Sequence, residues 1–494
     1  MARSKREQRR TLLPPDDCVM DLTQLQGLHR ASRIALERGA ERDLATAEAA
    51  LRRLTIQIVV GPRIQDSAVL QAALLTAVNA GARTFLGGVH VVGAQGVRSC
   101  TPLAVTHDLA SAVRALGGVP REQPLADVAT ILIGGAPRPR TSSIALRVEV
   151  QDWRAAVLPI DDATILSDDS AVAPAGIVAA AIALSEVFSA LMGLHPEAGR
   201  REVGFSLWRP SSGAESWRSI AGPEPQHLPK ELTVIGLGHL GQAYLWALAS
   251  LPYAAPSEVE VTLQDRALIE RENVSTSVLC TSDQIGDSKV RVSADWLEKR
   301  GFRTRMIERR FSELDQFAED DPHLVLVGVD WSPTRAHVAA AATRVHGGIQ
   351  VLDVGLGSDT QDFDELVLHA SPFGPADLER WRAAPEREAS RTASLASSQS
   401  MREVADASGL DACGSVRLAE LSVAVPFVGA AAGAVVVSEV LRRLAGAPPV
   451  RTVSLRLRDL ALGAPPVEHA TAPSFIPSVS CMARGTGAPV VGGS

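Results

Sequence analysis

Residues 233–244 read TVIGLGHLGQAY. A β-type run leads into glycines at positions 236, 238 and 241, and a helix-forming run follows. In a G-x-G-x-x-G turn of this kind, bare backbone can approach a phosphate at the N-terminus of a helix. The stretch therefore predicts a strand–turn–helix unit with a nucleotide held at Gly236, Gly238 and Gly241. The triplet says neither which nucleotide nor for what chemistry.

Strands and helices alternate on both sides of this turn, the pattern of a doubly wound α/β sheet. The chain has 494 residues, enough for two or three domains. Its many aliphatic residues and alanines, and its few aromatics, fit helices and buried parallel strands rather than an all-β protein. A formal charge of −7 gives no reason to expect nucleic acid as the main partner. The first ten residues, MARSKREQRR, are basic, but no apolar stretch follows, so they read as a solvated tail and not as a signal peptide. The most apolar stretch, residues 423–437, falls short of the roughly 20 residues of a membrane span and reads as a buried helix.

The two halves of the chain resemble each other. IVVG at 58–61 matches TVIG at 233–236. ATILIGG at 129–135 matches LVLVGVD at 324–330, and AAIALSEVFSALMG at 180–193 matches AGAVVVSEVLRRLAG at 432–446. The order is kept, while the offsets grow from 175 (Gly61 to Gly236) to 194 (Gly134 to Gly328) and 253 (Glu186 to Glu439). Ordered matches with growing offsets predict a duplication whose second copy has gained insertions. The first copy has GPRIQDS where the second has the glycine triplet. It has FLGG where the second ends a strand on Asp265, and IGGA where the second reaches Asp330. It reads as a scaffold without a nucleotide site.

Asp265 lies 24 residues after Gly241, where an acid can accept both ribose hydroxyls. The residues that follow, DRALIERENVSTSVLCTSDQIGDSKV (265–290), resemble the ThiF/MoeB/HesA family, which includes the ubiquitin-activating enzymes. The resemblance rests on Asp265, on Asn273 eight residues later, and on the Ile-Gly-x-x-Lys of IGDSK, which ends at Lys289. It extends to Asp330 with Arg335 beyond it, and it covers roughly residues 228–446.

The resemblance implies two tandem Rossmann-like domains forming a pseudo-dimer. They would comprise a degenerate first copy (29–208), a linker (209–229) and an active second copy (230–465) with an inserted crossover loop over about 365–415. A basic tail (1–28) and a flexible tail (466–494) would flank them. The implied reaction uses ATP to adenylate the C-terminal glycine of a ubiquitin-like protein. Lys289 would face the phosphates, Asp330 would hold Mg2+, and Asn273 would bond a phosphate or the ribose. Each has a plainer reading, as a solvated lysine, a helix cap and a turn residue; it is their joint spacing that points to the site.

The family pattern breaks at one place. Its Arg-Gln pair should fall at Thr276 and Ser277, so a guanidinium is missing there. Arg271 is a weakly placed substitute. A second arginine is expected from the first copy, in HRASRIALERGA (29–40), where Arg33 is the candidate and Arg30 stands beside it.

Enzymes of this class pass the acyl group to a cysteine, which must be reachable and partly ionised. The five cysteines are Cys18, Cys100, Cys280, Cys413 and Cys481, with no C-x-x-C pair, so no zinc site is expected and a reducing cytoplasm is. Cys413, at the end of the polar insertion EREASRTASLASSQS that reads as a mobile loop, is the thioester candidate, and Cys280 is its rival. The partners implied are a glycine-ended ubiquitin-like modifier and a conjugating-enzyme-like protein, in a bacterial, defence-type pathway; a homodimer is allowed, and neither nucleic acid nor membrane is expected. Three other readings stay open: activation of a sulfur-carrier protein, an NAD-dependent oxidoreductase, and a non-catalytic scaffold.

Overall fold

The structure, a computed structural model, describes residues 28–139, 142, 144–168, 171–212, 216–346, 348–463, 465–470 and 478–482, with only the backbone of 412–414 and 481. Two sheets carry the architecture. The first comprises β1 (Thr55–Val60), β2 (Gly88–Val92), β3 (Val119–Arg121), β4 (Ala129–Ile133), β5 (Ala145–Gln151), β6 (Arg154–Pro159) and β7 (Val203–Ser206), in the order β3-β2-β1-β4-β5-β6-β7. A short strand, β8 (His227–Pro229), then precedes the second sheet. That sheet comprises β9 (Glu231–Ile235), β10 (Glu260–Gln264), β11 (Arg303–Ile307), β12 (Leu324–Val327), β13 (Gln350–Leu356), β14 (Glu365–Ala370), β15 (Val450–Arg456) and β16 (Val467–His469). Its order is β11-β10-β9-β12-β13-β14-β15-β16.

The two sheets share one plan: five parallel strands with the first in the middle, continued by antiparallel strands. The three sequence matches fall on equivalent elements, β1 with β9, β4 with β12, and helix Ala173–Leu191 with helix Pro426–Leu444. The strands are aliphatic and buried on both faces, as central parallel strands must be.

One core runs through both copies. Helices Ala173–Leu191 and Pro426–Leu444 are apolar almost all round because they pack on each other and on their own sheets. Phe188 from the first meets Phe427 from the second at 5.9 Å between ring centroids. Helix Ala173–Leu191 is long and apolar enough to cross a membrane, but it is buried in this core. The glutamate of the repeated S-E-V stretch has one job in both copies. Glu186 accepts the Gly199 N–H at 3.0 Å and pairs with Arg201 at 2.7 Å; Glu439 accepts the Val450 N–H at 2.9 Å and pairs with Arg443 at 2.7 Å and with Arg442. Each carboxylate ties its long helix to the segment that leaves it.

Three expectations need correction. The insertion over 365–415 is not a loop: β14 is followed by helices Pro375–Arg382, Ala384–Ala396, Gln399–Ala407 and Ala412–Glu420. Alanine, glutamate and arginine are good helix formers, and the few apolar positions among them recur at helical spacing. Met401, Val404 and Ala405 turn inward onto Leu28, Ala35, Leu36, Leu44 and Ala47 of the first copy. The expected linker is packed: Trp217 is fully buried, and the Trp153 indole N–H donates to the Pro223 carbonyl at 2.7 Å. The expected C-terminal tail contains β16 and a strand β17 (Val479–Cys481) paired with β8. Residues 1–27, which hold Cys18, and 483–494 lie outside the described residues.

Candidate active site

The crevice sits at the carboxyl ends of β9, β10 and β12, where the strand order reverses and ligands of open α/β sheets bind. β9 runs into the glycine turn, and helix His239–Ala249 starts directly from Gly238. Gly236 has φ +88°, a conformation that a side chain rarely tolerates. A Cβ on Gly241 would lie 1.9 Å from the Gly236 carbonyl oxygen, so this glycine lets the helix close on the turn. At Gly238 nothing lies within 4 Å of the same construction, which leaves the helix N-terminus open to a ligand.

Asp265 follows β10 and braces the turn. Its carboxylate accepts the Leu237 N–H at 2.7 Å through one oxygen and the Ala267 N–H at 2.8 Å through the other. Lone pairs on both oxygens are left for ribose hydroxyls. Asp330 is exposed just beyond β12. Behind it Arg335 binds the Val329 carbonyl at 2.9 Å and pairs with the buried Asp353 at 3.1 Å. Arg335 thus shapes the strand end and does not enter the crevice. Burial raises the Asp353 carboxyl to about 6 despite that arginine.

Lys289 is the first residue of helix Lys289–Glu298, partly buried, and its charge reaches the Cys280 thiol. Asn273 is a cap: its side-chain oxygen accepts the Glu270 N–H at 2.8 Å at the head of the short helix Arg271–Val274. That uses the oxygen and leaves the amide NH2 as the group able to meet a ligand.

Thr276 and Ser277, where an arginine was expected, are buried. The first copy supplies a guanidinium behind them. Arg83 donates to the Ser277 carbonyl at 3.2 Å and the Cys280 carbonyl at 2.9 Å, and Asn79 donates to the Val278 carbonyl at 2.9 Å. Gln242 joins this segment to the glycine turn, accepting the Leu279 N–H at 2.8 Å and donating to the Leu237 carbonyl at 3.2 Å. Sequence reading missed Arg83 and Gln242 because both act across long separations on backbone atoms, which leave no motif.

The candidate arginine from the first copy also needs correction. Arg33 is buried in an ion pair with Glu37, and it donates to the Leu421 carbonyl. Arg30 is the residue that approaches the site: it pairs with Glu272 at 2.8 Å, one residue before Asn273, and its charge reaches His239. Burial holds the His239 ring down to about 4. An unfolded chain takes that proton near pH 6.5, so between pH 6.5 and 4 the unfolded state binds more protons and stability falls as pH falls. Roughly 3 kcal/mol of stability is expected to go over that window, most of it restored in His239→Gln, as read by urea unfolding at pH 7 and pH 4.

Cys280 lacks the features of a nucleophile. It is fully buried, burial raises its thiol, and its Sγ faces the Asn273 and Ser277 carbonyls at 3.6 Å each. Cys413 lies in helix Ala412–Glu420, but its side chain is outside the described residues, as is that of Cys481. Cys100 is exposed on the first copy.

The equivalent place in the first copy is filled. After β1 the chain makes a 3-10 turn, Pro62–Gln65, in place of the glycine turn. The Arg63 side chain pairs with Glu149 at 3.2 Å and Asp168 at 3.1 Å and donates to the Leu166 carbonyl at 2.7 Å. A cation of the protein's own occupies the region where a phosphate would need one.

A mononucleotide-type crevice with a single complete copy, propped by a sealed one, defines the class of protein, and comparison with known proteins places it further. Residues 55–207 match the BilD N-terminal domain and residues 228–447 the BilD C-terminal domain. The chain is 38% identical over 450 residues to the bacterial E1-like protein BilD of Collimonas sp. (strain OK412), covering 90% of this chain and 95% of that protein. It belongs to the BilD family of bacterial E1-like proteins. Among solved structures, E. coli MccB with MccA-N7isoASN and E. coli MccB with ATP each share 12% identity over 49% of this chain, at a TM-score of 0.29. This chain spans 63% of those MccB chains, and a likeness at that score carries no argument. The fold rests on the strand order above.

Proposed function

We propose that the second copy uses ATP to adenylate the C-terminal glycine of a ubiquitin-like protein. The observation that carries this reading is the set of groups around the carboxyl ends of β9, β10 and β12: the open amide end at Gly238, Asp265 and Asp330 after β10 and β12, and Lys289 at the head of a helix whose first N–H bonds the Ala267 carbonyl at 3.1 Å, while Arg63 fills the same place in the first copy. The triphosphate would lie on the helix N-terminus with its ribose on Asp265. Lys289 would stabilise charge on the phosphates as the substrate carboxylate attacks the α-phosphorus and pyrophosphate leaves. Asp330 is a hard, exposed oxygen donor that suits Mg2+ shared with the phosphates, where the ion would neutralise their charge. No group of three or more metal-ligating side chains occurs among the described residues, which fits a metal held largely by the nucleotide.

Modifier-dependent ATP–pyrophosphate exchange tests the reading. Exchange is expected only when a glycine-ended ubiquitin-like protein is present. Hydride transfer from a nicotinamide, or ATP-independent partner binding with no exchange, would contradict it.

The acyl group would then pass to Cys413 as a thioester. The Cys413 thiolate attacks the acyl carbon, and AMP leaves. Cys413→Ala is expected to keep exchange but lose the thiol-reducible adduct on a non-reducing gel. An adduct that survives in that variant and disappears in Cys100→Ala would assign the step elsewhere.

A further inference from the structure

Helix Ala68–Ala82, which follows β1 in the first copy, is bonded to the second copy along one face. Thr76, Asn79 and Arg83 are spaced three and four residues apart, which puts them on that face, with Arg83 capping the helix. The Thr76 hydroxyl accepts the Trp246 indole N–H at 2.9 Å, and Trp246 belongs to His239–Ala249, the helix that the glycine turn opens. Asn79 donates to the Val278 carbonyl at 2.9 Å. Arg83 donates to the Ser277 carbonyl at 3.2 Å, to the Cys280 carbonyl at 2.9 Å and to the Asn79 carbonyl at 3.1 Å.

The gripped stretch, residues 276–280, belongs to no strand, so no ladder satisfies its backbone. Side chains do so instead: the first copy takes the Ser277, Val278 and Cys280 carbonyls, and Gln242 accepts the Leu279 N–H at 2.8 Å. The stretch lies between two of the candidate ligand residues. At its start the Thr276 and Ser277 N–H groups donate to the Asn273 carbonyl at 3.1 and 2.7 Å. At its end the chain passes through the turn Ser282–Gln284 to Lys289. Gln242 also donates to the Leu237 carbonyl, at 3.2 Å, inside the glycine turn. A shift of 276–280 would therefore carry Asn273 and the glycine turn with it. Arg83 makes no ion pair among the described residues. Desolvating a charge without a carboxylate beside it costs stability. What the planar fork supplies is geometry, since it fixes the direction of two carbonyl groups at once.

We infer that Arg83, with Asn79 beside it, is a positioning residue for adenylation, so that the site of the second copy is completed by the copy that has sealed its own. The inference rests on the adenylation reading and gives the first copy a part in the reaction beyond packing. Arg83 acts through the backbone of 277–280 on Asn273 and on the glycine turn, and not on the phosphates.

Steady-state ATP–pyrophosphate exchange by the full chain, with a glycine-ended ubiquitin-like protein present and ATP varied, tests the assignment. Arg83→Met keeps the reach of the side chain and removes its donors. Its kcat is expected to fall about 10- to 100-fold, the effect of a small misplacement of reacting groups, with a smaller change in the KM for ATP. Arg83→Lys should recover part of the kcat, because an ammonium still reaches one carbonyl, and Asn79→Ala should show a partial loss. Thr76→Val breaks the bond to Trp246 on the same helix face without touching 277–280, and it should keep the wild-type kcat even where its melting temperature falls. A kcat loss in Thr76→Val equal to that in Arg83→Met, at the same fall in melting temperature, would mean that this face only supports the fold, and would overturn the inference. So would a wild-type kcat in folded Arg83→Met. Should Arg83→Met not fold, Arg83→Lys and Asn79→Ala decide: reduced kcat in both supports the inference, and wild-type kcat in both overturns it. A wild type without modifier-dependent exchange would overturn the adenylation reading, and this inference with it; wild-type exchange that these variants leave intact would overturn this inference alone.

Discussion

Replacing Lys289 with alanine is expected to lower modifier-dependent ATP–pyrophosphate exchange by about 10²- to 10³-fold, the usual cost of deleting one preorganised charge at a developing anion. The variant should fold. Lys289 opens a helix, alanine is the best helix former, and the lysine is partly exposed and forms no ion pair among the described residues. An unchanged melting temperature with lost exchange therefore points to chemistry. Exchange that stays near wild type would remove Lys289 from the phosphates, leaving it as a solvated cation beside Cys280.

Glu439→Ala is expected to have the largest effect on stability. The carboxylate is 2% exposed and faces two arginines, Arg442 and Arg443, which are themselves 3% and 5% exposed. Alanine would strand both guanidiniums in the core and orphan the Val450 N–H. Breaking a buried network by removing one partner costs about 3–5 kcal/mol, and in a chain of 494 residues with one continuous core a loss of that size should lower the melting midpoint by roughly 3–5 °C. Glu186→Ala should cost less, because only Arg201 is stranded there. A loss at Glu439 below about 1 kcal/mol would fit a surface pair and not a buried one.

These two residues also show what the sequence made readable. Lys289 is legible because the Ile-Gly-x-x-Lys stretch that carries the family resemblance is local, as the glycine turn is: strand, bend and helix are written in consecutive residues. The duplication was readable for the same reason, since each matched stretch lies inside one element. Glu439 was visible only as a letter in a repeat, because its partners act through burial. The arginine from the first copy was assigned to Arg33, while Arg30 approaches the site. Choosing between positions three residues apart on a helical turn requires knowing which face turns inward, and Glu37 and Leu421 decide that from elsewhere in the chain. The insertion looked like a loop because its apolar positions are few, and they find their partners more than 350 residues away, in the first copy. Arg63 filling its own site, and Arg83 holding the neighbouring one, are contacts between distant segments that no spacing rule reports.

If only one of the two copies is active, each chain holds a single adenylate, and counting bound product checks this. The full chain is incubated with α-labelled ATP and a glycine-ended ubiquitin-like protein, and the AMP retained as acyl-adenylate is measured per chain before any thiol transfer. One AMP per chain is predicted, lost in Lys289→Ala and kept in Arg63→Ala. Two per chain would show that the first copy is not sealed, and one that survives Lys289→Ala would remove Lys289 from the phosphates. None, with the modifier bound, would show that the second copy does not adenylate it.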